Sequence, residues 1–196
     1  MKKANYLILT MVAALLFSCD GKKANEKELE VEIKPLDEIP GIYEMRGTIG
    51  DGSSMNVLEC ISEDGDTIYI DINAQEITGG LHIGDEIDII YNVTKDENVA
   101  SVAVNLTSLQ HLWTQRGSDG RRQSLELDSK GRATTYDMTV DYDSWEVKDG
   151  LLLLHSPNKP GEEKPAAVDT FEIMQLTPDS LVLMNGNLMT EFERYN

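Results

Sequence analysis

Beyond residue 40 the chain carries short runs in which apolar and polar side chains alternate, the period of half-buried β-strands. Tyr43, Met45, Gly47 and Ile49 alternate with Glu44, Arg46 and Thr48. Met55 to Ile61 reads as a second strand whose apolar phase slips between Val57 and Leu58, as at a bulge. Glu63-Asp64-Gly65-Asp66 turns the chain into Thr67 to Ile72, with Ile68, Ile70 and Ile72 on one side. A single helical turn is predicted near Asn73 to Thr78, ended by Gly79-Gly80. Strands with Ile87, Ile89 and Tyr91 and over Val99 to Leu106 follow. From residue 109 the signal becomes a regular series of eight: Trp113 to Arg116, Gln123 to Asp128, Arg132 to Tyr142, Trp145 to Lys148, Leu151 to His155, Thr170 to Leu176, Ser180 to Met184 and Leu188 to Tyr195. Turn residues at Gly117, Asp119-Gly120, Gly131, Asp149-Gly150, Asp179 and Asn185-Gly186 separate them. The predicted class is all-β, with two small antiparallel barrels over 41–108 and 109–196.

The first residues follow another pattern. Lys2 and Lys3 precede an apolar run from Tyr6 to Phe17 broken only by Thr10, the layout of a secretory signal. A bilayer span needs roughly 20 apolar residues, so the run is too short to be one. It ends in Leu16-Phe17-Ser18-Cys19, which resembles the lipobox of bacterial lipoproteins. The resemblance implies removal of residues 1–18 and lipid attachment at Cys19. Two or more acyl chains, at about 0.8 kcal/mol per buried methylene, make a stable membrane anchor. Residues 19–40, charged and bracketed near their end by Pro35 and Pro40, read as a solvated tether.

Charge narrows the partners. Loss of Lys2 and Lys3 leaves 15 of the 17 basic side chains against 35 acidic ones. Nucleic acid and anionic lipid surfaces repel such a protein at long range, so neither is expected as a partner. The balance also breaks within the chain. Residues 41–108 hold 13 acidic and 2 basic side chains, and 109–196 hold 15 and 9, which supports two modules. Cys60, the cysteine left after lipidation of Cys19, lies in an apolar strand pattern and is expected to be a buried, inert thiol.

Five strands with an irregular insert after the third make the first module similar to an OB-fold. The second resembles a lipocalin-like domain of lipoproteins from Bacteroides and its relatives. The likeness is carried by Leu112-Trp113, Leu125-Glu126-Leu127-Asp128, Gly131-Arg132-Ala133, Tyr142, Trp145 and Phe192-Glu193-Arg194. In lipocalins a late arginine packs over the first-strand tryptophan, which implies that Arg194 pairs with Trp113 and closes the barrel floor. The lipocalin position two places before that tryptophan is glycine; here it is His111. The same resemblance makes Asp66-Thr67-Ile68 and Asp179-Ser180-Leu181 candidate O-glycosylation triplets.

No catalytic, metal or cofactor set emerges. His82, His111 and His155 are scattered without the spacing of a zinc site or a triad. Gly47, Gly50 and Gly52 are followed by no phosphate-binding helix. Asp137 and Asp141 on one strand stand about 13 Å apart at 3.3 Å per residue, too far to share a calcium ion. The Pro-containing loop from Ser156 to Ala167 is a surface loop or a cover for the barrel mouth. The expected function is therefore that of a non-enzymatic lipoprotein, anchored in the bacterial envelope at the outer membrane, whose second barrel binds a small apolar ligand or a protein. The alternative is a purely structural, protein-contacting module with filled barrels.

Overall fold

The computed structural model describes residues 40–72, 77–158 and 167–195, all within one compact unit. The expected leader, Cys19 and tether lie outside the described residues, apart from Pro40. So do most of the predicted helical turn and the middle of the Ser156 to Ala167 loop.

Strands β1 (Gly41–Ile49), β2 (Val57–Ser62), β3 (Thr67–Asp71), β4 (Glu86–Val93) and β5 (Asn98–Asn105) form a closed barrel in the order β1-β2-β3-β5-β4. All neighbours are antiparallel except β3 and β5, which meet in parallel through Asp71 and Val99. The alternation places Ile49, Leu58, Cys60, Ile70, Ile87 and Ile89 inside, all fully buried. Gly47 lets β1 and β2 close: a Cβ there would lie 2.5 Å from the Ile61 carbonyl oxygen. Burial pushes the Cys60 thiol up to about 11, so it stays protonated and unreactive at neutral pH.

The phase slip between Val57 and Leu58 is not a bulge. Pairing of β2 with β3 runs unbroken from Val57 to Ile61. Glu59 faces outward yet is buried, because residues 50–53 fold over it. Its carboxylate accepts the Tyr69 hydroxyl and the Gly52 N–H, both at 2.7 Å, and these bonds hold its pKa below the ordinary value.

A short helix, α1 (Leu106–Leu109), capped by Asn105, leads into the second sheet. This contains β6 (Leu112–Arg116), β7 (Arg122–Leu127), β8 (Ala133–Tyr136), β9 (Ser144–Lys148), β10 (Leu151–His155), β11 (Val168–Leu176), β12 (Ser180–Asn185) and β13 (Leu188–Arg194), in the order β8-β7-β6-β13-β12-β11-β10-β9. The sheet nearly closes on itself. An Arg132–Ser144 bridge, with bonds from Ala133 N–H to Asp143 O and from Trp145 N–H to Gly131 O, joins its first and last strands. The long strand expected over Arg132 to Tyr142 stops at Tyr136, because Asp137 turns the chain with a left-handed φ of 54°. The alternating apolar positions Tyr136, Val140 and Tyr142 therefore share no face: Tyr142 is buried, whereas Tyr136 and Val140 are exposed.

The two barrels are in contact. The β9–β10 turn has positive φ at both Asp149 and Gly150, the geometry of a two-residue type I′ hairpin. Its tip sits on β5, so that a Cβ on Gly150 would meet a Val102 methyl at 2.6 Å. Asp149 N–H donates to Glu44, and Arg46 reaches the Val147 carbonyl, a group on the open edge of β9. Val104, Leu106 and Leu109 join the inner core of the second barrel. Asn105, fully buried, ties the junction together: its side chain donates to Gly80 O and Asp85 and accepts from Ser108 N–H.

Candidate functional site

Every neighbouring pair in the second sheet is antiparallel, so β6, β8, β10 and β12 all end at one rim, where β7, β9, β11 and β13 begin. The opposite rim holds the β7–β8, β9–β10 and β11–β12 turns together with α1. It is sealed: the Trp113 indole is fully buried and donates to Leu109 O of α1 at 2.8 Å. Around and above it Leu125, Leu127, Leu152, Leu154, Leu181 and Leu183 fill the barrel with their own side chains.

Toward the other rim the inner face loosens. Directly opposed residues of antiparallel strands share a face, so Thr135 opposite Leu125, Phe171 opposite Leu152, and Ile173 and Thr190 opposite Leu183 all point inward. All four are only half-buried, as are Gln115 and Gln123, whose side chains bond each other at 3.2 Å. Met138, Phe171 and Ile173 lie against the packed core. A polar pair is set among them. The Tyr142 hydroxyl donates to Asp169 at 2.6 Å, and burial, helped by that bond, raises the Tyr142 pKa. Exposed Tyr136, Val140, Val168 and Leu188 surround this end. A shallow cavity of about 140 Å³ lies elsewhere, in the first barrel, between Ile72, Ile77, Thr78 and residues 100–103.

The expected pair of Trp113 and Arg194 sits in register on β6 and β13. The guanidinium donates to Pro178 O at 3.4 Å, and the ring packed edge-on against Trp113 at 5.7 Å is His111. The imidazole therefore covers the indole from the position where lipocalins carry glycine. Burial and then the nearby Arg194 charge keep His111 below its usual pKa, which favours the neutral ring. The cation–π contact among the described residues joins Arg122 to Tyr195 instead.

The three histidines remain apart: His82 lies 3.6 Å from Asp85 and His155 lies 3.3 Å from Glu146. Among the described residues no group of three or more His, Cys, Asp or Glu side chains is placed to hold a metal ion. Asp137, Asp141 and Asp143 do not share a strand, because β8 ends before them. The inward Gln115–Gln123 and Tyr142–Asp169 pairs were missed from sequence, where polar residues at strand ends read as rim or turn.

An eight-stranded antiparallel meander, sealed at one rim and looser at the other, has the architecture of a lipocalin-like barrel. Residues 105–195 match the lipocalin-like family model, and this part of the chain is a lipocalin-like domain. A lipocalin-like protein from Bacteroides thetaiotaomicron VPI-5482, with a crystal structure at 1.95 Å, is 27% identical, the match covering 45% of this chain and 97% of that one with a TM-score of 0.38. No curated protein matches the sequence.

Proposed function

We propose that the protein is a non-enzymatic lipoprotein of the bacterial cell envelope, held at the outer membrane by lipid on Cys19, whose lipocalin-like barrel binds a small apolar ligand at its loose end. The observation that carries the binding reading is the half-buried, inward pair Phe171 and Ile173, with Met138 packed against the same core and the Gln115–Gln123 pair on the same inner face of the barrel. Apolar walls with a few oriented polar groups are what a small-molecule site requires. The envelope assignment rests on the Tyr6 to Phe17 run and the lipobox-like ending at Cys19.

A second reading, a protein-contacting module with filled barrels, is favoured by the fully buried lower half around Trp113, Leu152 and Leu181. Native mass spectrometry of protein purified from its own host separates the two. The ligand reading predicts a co-bound small molecule whose mass adds to that of the acylated chain. Recovery of acylated protein with no adduct under any condition leaves the contact reading. Cys19→Ala is expected to release the protein from the membrane fraction, and retention there would overturn the anchor.

A further inference from the structure

We propose that the contact between the two barrels is a proton-sensitive joint built around Asp88, tighter when that carboxyl is protonated and looser when it is charged. Asp88 stands on the outer face of β4, in register with Arg46 on β1 and Val104 on β5. The β9–β10 hairpin lies over this face: its tip meets Val102 and Glu44, two residues along β5 and β1, and its Val147 carbonyl meets Arg46. Asp88 is consequently only 5% exposed, although an aspartate on an outward strand position is ordinarily solvated.

Three charged groups face it. Arg46 on β1 is the favourable one, at 3.6 Å, but it is half exposed and also serves the Val147 carbonyl. Glu44 on β1 and Asp149 in the hairpin turn both repel the charged form. Glu44 also accepts the Asp149 N–H at 3.2 Å, so hairpin docking itself brings these carboxylates together. Burial raises the Asp88 pKa to about 6, Glu44 adds to the rise, and Arg46 offsets part of it.

The sign follows from linkage. A carboxyl whose folded pKa lies above its unfolded value adds stability that is fully present below the unfolded value near 4. That stability is lost as pH rises through about 6. At neutral pH the joint therefore holds an unfavourable charge that mild acid removes.

Asp88→Asn mimics the protonated form, and the asparagine oxygen still accepts from Arg46. The variant is expected to melt roughly 5 °C higher than wild type at pH 7.5 and within about 1 °C of it at pH 4.5. An equal shift at both pH values, or a loss at pH 7.5, would overturn the inference. In the unmodified protein, a carbon-detected titration of the Asp88 carboxyl should have its midpoint near 6 and move down in Glu44→Gln. A midpoint near 4 would overturn the inference even if Asp88→Asn failed to fold. Amide exchange at Val102 and Asp149, corrected for its intrinsic pH dependence, should slow on acidification in the wild type alone. Unchanged exchange would show that the proton does not reach the joint.

Discussion

Trp113→Ala is expected to lower folding stability by about 3–5 kcal/mol, the range for removing a large aromatic side chain from a packed core. The indole is fully buried, and its N–H is the bond that ties the barrel to α1. Truncation leaves a cavity beneath Leu125 and Phe192, removes the surface on which His111 packs and strands the Leu109 carbonyl. Trp113→Phe keeps most of the apolar contact but not the donor, so its cost should be nearer 1–3 kcal/mol. Chemical denaturation followed by far-ultraviolet circular dichroism measures both. A cost below about 1 kcal/mol for Trp113→Ala would mean that the floor is not packed as described.

Gly150→Ala is expected to cost about 2–4 kcal/mol, from two separable sources. The first is the left-handed backbone, φ of 74°, which a Cβ strains by roughly 1 kcal/mol. The second is a 2.6 Å approach to a Val102 methyl, on a β-branched side chain with little freedom to turn away. Gly186 supplies the control. It also has positive φ, 58°, but nothing stands within 4 Å of its Cβ position. Gly186→Ala should therefore lose only the backbone part. Equal losses in the two variants would show that the hairpin tip does not rest on the first barrel.

The strand content was largely legible because alternation along a half-buried strand is a local property. Ile68, Ile70 and Ile87, Ile89 could be assigned to an inner face from their spacing alone. What failed was decided by contacts distant in sequence. Glu59 and Asp88 occupy outward positions, where a carboxylate is ordinarily solvated, yet a folded-over loop buries one and a second barrel buries the other. Tyr136 to Tyr142 has the period of a strand, but the left-handed turn at Asp137 ends the strand after Tyr136. The site was legible as a class through Trp113 and the closing Phe192-Glu193-Arg194, not in its details. Arg194 stands opposite Trp113 in register, but the edge-on His111 ring beside that indole was not foreseen, and periodicity alone does not say that the Tyr142 hydroxyl meets Asp169.

Both tryptophans of the chain, Trp113 and Trp145, lie in the core of the second barrel, so their emission reports on that barrel alone. Titration with N-phenyl-1-naphthylamine below its aggregation limit tests the binding claim most directly. Saturable energy transfer from tryptophan to the probe is expected, and Phe171→Asp, which puts a charge on the loose inner face, should weaken it at least tenfold without unfolding the barrel. A linear, non-saturating signal in the wild type, or saturation unchanged by Phe171→Asp, would contradict a ligand site at the open end.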